Sequence, residues 1–528
     1  MLLGLVLAFA FLMHAHAHAQ APPAASVSLT ILQTSDLHGR VHPHDSVEDR
    51  DLGGSLSRVA AAVRAVRAEG RPVILVDSGD TIQGAPEQAI AFAAGRPDPI
   101  VAAMNLVGYD AMALGNHEFD FGIARTRASK GEARFPWLSA NTIGDGGGPA
   151  FDPYAVRTIA GVRVGILGLV TASAGAASPA LLGGVSFEDP VAAAKRWVPL
   201  LRGRERCDLV VVVIHDGLFR KPRSGSERTG RSETGAEAVR RLADEVTGVD
   251  LLLMGHTHVV IPPARVGGVW AAEPGRWGEA LTRFDVTLDG SPGAWRVSRV
   301  LGRILRMRGV VPEPEIVASV EGVHGEAMRE LAETAAILDA RVDPDDARRG
   351  DNAALDWVHA VQLREGKADL SFAAMMPGKP PEWPAGPLAV RAIWSFYPYE
   401  NSLVTLRATG RQVREALEWA AARATDPDAR SYDCDTLEGA DYALDFSRQP
   451  GRRVVFLTRG GRAVADGDTF VVALNSFRAT GGGGYAMWRG AERLSDRGNL
   501  RDMLIADARA KKHLALAASG NWKLAAGQ

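Results

Sequence analysis

The chain has 528 residues, of which 46% are hydrophobic and 23% are charged, and its formal net charge is −2. This composition excludes a disordered chain, and the length predicts two domains. Because no excess of Lys and Arg is available to neutralise a phosphate backbone, the charge argues against a polymeric nucleic acid as a partner.

The first segment predicts an export signal. Residues 2–13 form an apolar run, and Ala17-His18-Ala19 fits the small-x-small cleavage pattern, although no Lys or Arg precedes the run. We assign residues 1–20 to a signal peptide and expect a mature protein that is periplasmic or secreted. The run is too short for a membrane span, and we see no second span. We expect a monomer.

The first half alternates apolar runs with helical patterns, which is typical of α/β layering. The predicted strands are residues 28–33, 72–76, 162–169, 209–214 and 251–254, and the predicted helices are residues 56–69 and 236–246.

Five short polar stretches contain Asp, Asn and His, and most of them directly follow a predicted strand. They are Asp36-Leu37-His38, Gly79-Asp80, Gly115-Asn116-His117-Glu118-Phe119-Asp120, His215 and Gly255-His256-Thr257-His258. Loops beyond the carboxyl ends of strands can converge on one edge of a sheet. A ligand set without thiolate suits Mn, Fe, Zn or Co, and it is large enough for two ions if one carboxylate bridges them. Such a site predicts a phosphoesterase.

The second half begins after a boundary near residue 305. We assign residues 26–305 to the first domain, 306–340 to a linker with a helix at 315–334, and 341–528 to a second domain. The second domain has predicted strands at 402–408, 453–458 and 469–473 and a predicted helix at 411–422.

The order DxH, GD, GNHE, H and GHTH resembles the calcineurin-like metallophosphoesterase superfamily. Residues 36–39, 77–84 and 115–120 resemble its bacterial branch of 5′-nucleotidases and 2′,3′-cyclic-nucleotide 2′-phosphodiesterases. The resemblance covers nearly the whole mature chain. It implies a four-layer α/β/β/α sandwich followed by a smaller α+β substrate domain.

The resemblance also implies the role of each polar residue. One divalent metal ion would be held by Asp36, His38 and His258, and the other by Asn116, His215 and His256, with Asp80 bridging the two. His117 would stabilise charge on the phosphoryl group, and Asp120 would orient His117. The identity of the metal stays open among Mn, Zn, Co and Fe.

Residues of the second domain match the substrate site of the same proteins. Tyr442 and Phe477 resemble two aromatic residues that sandwich the base of a nucleotide, and Asn475 and Arg478 flank Phe477 in the same motif. Stacking on an aromatic ring is worth about 1–3 kcal/mol per base. The resemblance therefore implies a nucleotide substrate.

Several stretches favour the 2′,3′-cyclic-nucleotide 2′-phosphodiesterase/3′-nucleotidase subgroup. They include Pro274-Gly275-Arg276-Trp277-Gly278 and Tyr397-Pro398-Tyr399-Glu400-Asn401, whereas the stretch 481–485 is closer to the 5′ pattern. Three alternatives stay open: a 5′-nucleotidase/UDP-sugar hydrolase, a thiosulfohydrolase on the same scaffold, and a non-catalytic nucleotide-binding protein.

Overall fold

The structure is a computed structural model of the chain, and it describes residues 25–176, 179–218, 234–344, 350–376, 381–427 and 429–525. The predicted signal peptide, residues 1–20, lies outside these described residues. None of the helices in the described ranges has the length and hydrophobicity of a membrane span.

The N-terminal half is built on two six-stranded sheets, each parallel at its centre. In spatial order, the strands of the first sheet are Arg296–Arg306, Ala280–Gly290, Ala25–Thr34, Val73–Asp77, Ala111–Ala113 and Trp137–Leu138. Those of the second sheet are Val260–Val266, Val269–Pro274, Leu251–Met254, Leu209–His215, Val162–Val170 and Tyr154–Ile159. The five predicted strands all lie in these sheets and differ from the observed ones by no more than a few residues at an end.

The two sheets face each other through a shared apolar layer. Leu29 and Ile31 of the first sheet and Val211 and Val213 of the second sheet point into this layer. Because alternate residues of a strand point to opposite faces, their neighbours, such as Val212, cover the outer faces, where helices pack. The helices of this half are Leu56–Arg67, Pro86–Ala93, Pro99–Val107, Ile123–Glu132, Pro179–Leu182, Pro190–Gly203 and Thr234–Glu245. The predicted four-layer α/β/β/α sandwich is therefore confirmed.

A long helix, Pro314–Ala332, joins the two halves. Ile316 and Val320 pack into the core under the first sheet, and Leu331 packs into a core of the C-terminal half. Proline at the first helical position is favourable because its missing N–H would have no partner there. The helix therefore forms where the sequence predicts it and contacts both halves.

In the part of the C-terminal half that the structure describes, the chain forms an α+β unit with three sheets. In spatial order, the five-stranded sheet contains Thr436–Glu438, Leu370–Ala373, Thr469–Asn475, Ser402–Thr409 and Glu492–Asn499. The other two sheets are Gly386–Ala389, Thr334–Leu338 and His513–Leu514, and Arg462–Ala463, Val454–Arg459, Asp441–Leu444 and Trp522–Leu524. The helices of at least seven residues are Ala353–Gly366, Val390–Phe396, Gly410–Ala424 and Leu500–Lys511. A capping box between Thr409 and Gln412 begins the helix Gly410–Ala424.

Candidate active site

The seven predicted metal ligands lie at the ends of strands or on the loops that follow them, at one edge of the two sheets. Asp36 and His38 follow Ala25–Thr34, Asp80 follows Val73–Asp77, Asn116 follows Ala111–Ala113, His215 ends Leu209–His215, and His256 and His258 follow Leu251–Met254. Within each sheet these strands run parallel to one another, so their carboxyl ends meet at the same edge.

A first group of side chains brings four potential ligand atoms together. One atom each from Asp36, His38, Asp80 and His258 lies within 4.8 Å of the others. The Nε2 atoms of His38 and His258 are 3.1 Å apart, and Nε2 of His258 lies 3.3 Å from Oδ1 of Asp36. Three of these residues are buried, so the group offers a compact, largely dehydrated cation site.

A second group shares one carboxylate with the first. Potential ligand atoms of Asp80, His215 and His256 lie within 4.8 Å of one another, and Nε2 of His215 is 2.9 Å from Oδ2 of Asp80. Asn116 lies in the loop after the strand Ala111–Ala113, and its buried Oδ1 has no hydrogen-bond partner among the described residues. A buried carbonyl oxygen without a partner is costly unless a cation or another donor satisfies it.

The protonation of two histidines also fits metal binding. Burial, together with the nearby His258, lowers the pKa of His38 to about 3. Burial next to His215 lowers the pKa of His256 to about 3. Both imidazoles are therefore neutral at pH 7, which is the form that binds a cation. At His215, burial alone would lower the pKa, but Asp80 outweighs it and raises the pKa to about 10, so binding of a cation there releases a proton. The arrangement of ligand atoms in the two groups fits two divalent ions.

The backbone of the site is strained at most of the predicted ligands. The φ angles are 52° at Asp36, 48° at His38, 55° at Asp80, 76° at His256 and 60° at His258, all in the left-handed region. Each residue other than glycine in a sparsely populated region costs on the order of 1–3 kcal/mol, and such residues cluster at functional sites. The surrounding fold therefore holds these side chains in place at an energetic cost.

A buried carboxylate supports the loop that contains Asp80. Glu118 accepts hydrogen bonds from the backbone N–H groups of Asp80, Thr81, Ile82 and Gly115, at 2.6–3.0 Å. A Cβ atom at Gly115 would lie 2.2 Å from Oδ1 of Asp80, so only glycine fits there. Glu118 therefore shapes the loop and does not face the site.

His117 and Asp120 form a pair beside Asp80. Nδ1 of His117 lies 2.6 Å from Oδ2 of Asp120, and its Nε2 lies 3.9 Å from Oδ2 of Asp80. Burial alone would lower the pKa of His117, but Asp120 and Asp80 outweigh it and raise the pKa to about 10. With Nδ1 donating to Asp120, the second proton of the imidazolium points from Nε2 toward the metal ligands.

The structure corrects the predicted role of Tyr442. Its side chain is only 1% exposed, its ring stacks on Trp522 at 5.6 Å between centroids, and its Oη accepts a hydrogen bond from the N–H of Leu437. The ring belongs to a hydrophobic core and has no open face for a base.

Two further predicted substrate residues are also structural. Arg478 is 2% exposed and pairs with Asp435 at 2.8 Å. Asn475 is buried, and its side chain accepts a hydrogen bond from the N–H of Arg478 at the start of the helix Ser476–Ala479. Both side chains are buried, so neither Arg478 nor Asn475 is accessible to a nucleotide.

Two aromatic side chains remain accessible for stacking on a base. They are Phe477 and Tyr399, and the sequence interpretation gave Tyr399 no role. Phe477 is 37% exposed. Tyr399 is half-buried, and its ring is nearly parallel to that of His117, with 6.5 Å between centroids. Across the same region, Gln83 donates to the carbonyl of Pro398. Tyr399 is thus the aromatic residue of the C-terminal half that reaches the metal site. The stretch Tyr397-Pro398-Tyr399 was the available signal for it.

Comparisons with known proteins agree with this architecture. A sequence model of the calcineurin-like phosphoesterases matches residues 29–260, and a model of the 5′-nucleotidase C-terminal domain matches residues 330–490. The chain is 27% identical over 592 residues to a 2′,3′-cyclic-nucleotide 2′-phosphodiesterase/3′-nucleotidase of Salmonella typhimurium, covering 95% of this chain and 89% of that protein. It is 25% identical over 539 residues to the trifunctional nucleotide phosphoesterase protein YfkN of Bacillus subtilis, covering 88% of this chain but only 36% of that longer protein.

A solved structure shows the same fold. A crystal structure of a Staphylococcus aureus protein described as a 5′-nucleotidase matches with a TM-score of 0.81 at 21% identity, over 94% of this chain and 99% of that one. Fold and site together define a phosphoric ester hydrolase, as the sequence predicts. The chain belongs to the calcineurin-like phosphoesterases that carry a 5′-nucleotidase C-terminal domain.

Proposed function

We propose that this chain is an exported two-metal phosphoesterase that acts on nucleotides. It would open 2′,3′-cyclic nucleotides at the 2′ position and then remove the 3′-phosphate. The observation that carries this proposal is the pair of ligand groups that share Asp80 at the edge of the two sheets. One carboxylate that belongs to both groups can bridge two adjacent cations.

The proposed metal ions would be held by the seven residues already described. Asp36, His38 and His258 would bind one ion, Asn116, His215 and His256 the other, and Asp80 both. Bound together, two such ions supply a water of lowered pKa and stabilise charge on the attacking and leaving oxygens.

His117 would act on the phosphoryl group directly. It holds a proton at Nε2, while Asp120 accepts from Nδ1 and fixes the ring. A fixed cationic donor stabilises the negative charge that builds up on phosphoryl oxygens in the transition state, and it needs no reorganisation at that moment.

The base of the nucleotide would stack on aromatic rings at the C-terminal half. Tyr399 replaces Tyr442 in this role because it is the ring that lies beside His117. Phe477 is exposed and supplies a second surface for stacking. Such stacking selects nucleotides over small phosphate esters without strong preference among bases.

The preference for 2′,3′-cyclic and 3′-nucleotides is supported by residues 274–278 and 397–401 and by the relative from Salmonella, which matches nearly end to end. The 5′-nucleotidase and thiosulfohydrolase alternatives use the same scaffold, so only substrates separate them. The half-buried ring of Tyr399 beside His117 favours a nucleotide over thiosulfate esters.

One assay tests the proposal. The metal-reconstituted protein is given 2′,3′-cyclic AMP, 3′-AMP and 5′-AMP, and phosphate release is measured with a coupled phosphomonoesterase for the diester. The expected result is turnover of the first two substrates at a higher kcat/KM than 5′-AMP. A higher kcat/KM for 5′-AMP would favour the 5′-nucleotidase alternative. Bound metal with no turnover of any ester would favour a non-catalytic protein.

A further inference from the structure

An arginine that the proposed mechanism does not use lies at the rim of the metal site. Arg276 belongs to the turn between the strands Val269–Pro274 and Ala280–Gly290. This turn is fixed against the first ligand loop, because the backbone N–H of Trp277 donates to the carbonyl of Asp36 at 2.7 Å. Trp277 itself has a φ of 58°, in the left-handed region. The turn is thus held in a strained conformation next to Asp36.

The guanidinium of Arg276 is held in a defined position. Its Cζ lies 3.7 Å from the ring centroid of Trp277, and its Nη1 lies 3.3 Å from Nδ1 of His258. His258 in turn directs Nε2 toward Asp36 and His38. The imidazole of His38 lies 5.3 Å from that of His117 and 5.1 Å from that of His258, measured between ring centroids. His38 therefore contacts both His117 and His258, and His258 contacts Arg276.

The donors of Arg276 have no strong acceptor in this arrangement. Glu279 and Asp36 act on it electrostatically, but among the described residues no carboxylate lies within ion-pair distance of it. If Nε2 of His258 binds a cation, Nδ1 carries the ring proton and cannot accept from Arg276. By contrast, Arg40 stacks on the same Trp277 ring and is paired with Asp45. An immobilised, partly buried cation beside two metal ions is unfavourable unless an anion joins them.

We propose that Arg276 binds a phosphoryl oxygen of the substrate at the metal centre, next to His258. This inference rests on the proposed phosphoesterase function and adds to it a selectivity between phosphate monoesters and diesters. A guanidinium presents a planar pair of donors that matches two oxygens of a phosphate group. Its contribution therefore grows with phosphoryl charge, and it favours dianionic monoesters over monoanionic diesters. In a two-step reaction, Arg276 would act mainly on the second step, the removal of the 3′-phosphate.

The test compares two esters without a nucleoside, p-nitrophenyl phosphate and bis(p-nitrophenyl) phosphate, at pH 8. Arg276→Gln should lower kcat/KM for the monoester about 10- to 100-fold and for the diester no more than about threefold. Binding of inorganic phosphate to the metal-loaded protein, measured by calorimetry, should weaken by a similar factor of about 10 or more. Metal content, measured by elemental analysis, should stay the same. Arg276→Lys keeps the charge without the planar fork and should give an intermediate loss.

Arg265→Gln is the matched control, since Arg265 also stacks on a tryptophan, Trp270, but on the far part of the second sheet. Arg265→Gln should change neither the ratio of kcat/KM for the monoester to kcat/KM for the diester nor the affinity for inorganic phosphate. Equal losses on both esters, or unchanged phosphate affinity in both Arg276 variants, would overturn the inference and leave Arg276 a packing role. If the wild-type protein hydrolyses no ester, the proposed function fails, and the phosphate-affinity comparison still decides whether Arg276 binds the anion.

Discussion

The predicted metal ligands and the predicted substrate residues lie in very different surroundings. At the metal centre, residues from four of the five polar stretches have potential ligand atoms that lie within 4.8 Å of one another in two groups. In the C-terminal half, three of four predicted substrate residues are buried in the core or in an ion pair. A ligand needs a particular chemical group at a strand end, whereas a stacking ring needs an open face, which depends on contacts that are distant in sequence.

The largest expected effect comes from Asp80, the residue that both ligand groups share. Asp80→Ala should lower turnover of 3′-AMP by at least about 10⁴-fold, because metal-based charge stabilisation is worth several kcal/mol. Elemental analysis should also show a loss of bound metal. Asp152→Ala, an exposed carboxylate in the same half, is the control. Full metal content and unchanged turnover in Asp80→Ala would show that Asp80 is not a shared metal ligand.

A smaller loss is expected at His117, which lies beside the ligands. His117→Ala should lower kcat by about 10²–10³-fold, because it removes one fixed donor to the phosphoryl group, and should leave metal content unchanged. Asp120→Asn keeps the ring but weakens its orientation and should cost less. Unchanged turnover in His117→Ala would remove its catalytic role.

The reason for this contrast lies in how each residue is held in place. The order of apolar runs and the polar residues that follow them were enough to predict α/β layering and the edge where the ligands meet, whereas the four-layer sandwich was implied by the resemblance to a known family. The left-handed φ angles of Asp36 and His38 were not predictable, because no glycine marks them. Tyr442 packs on Trp522 from a strand near the C-terminal end, and Arg478 pairs with Asp435, 43 residues away. Those partners are visible only once the chain has folded.

Separate substitutions of Tyr399 and Tyr442 test which of the two rings stacks on the base. Tyr399→Ala should raise KM for 3′-AMP about 5- to 100-fold, since one stacking contact is worth about 1–3 kcal/mol, and should leave p-nitrophenyl phosphate unaffected. Tyr442→Phe should leave both activities unchanged and lower the free energy of unfolding by about 1 kcal/mol, because the N–H of Leu437 loses its acceptor. Tyr442→Leu removes the ring itself, and a larger rise in the KM for 3′-AMP in this variant than in Tyr399→Ala would restore the original assignment.

The last prediction concerns the stability of the C-terminal half, which we expect to depend on pH through the buried His359. His359 is buried between the hydroxyls of Ser371 and Thr436, and burial lowers its pKa from 6.5 to about 3. Below pH 6.5 the unfolded chain binds a proton at this residue and the folded chain does not, so the free energy of unfolding falls by about 1.4 kcal/mol per pH unit down to about pH 3. At pH 5 the loss from this residue is about 2 kcal/mol. Glutamine can both donate and accept at the same place without titrating, so His359→Gln should remove that loss. Urea unfolding of both proteins at pH 7.5 and pH 5 measures the difference, and equal pH dependence in the two proteins would show that His359 titrates normally in the folded state.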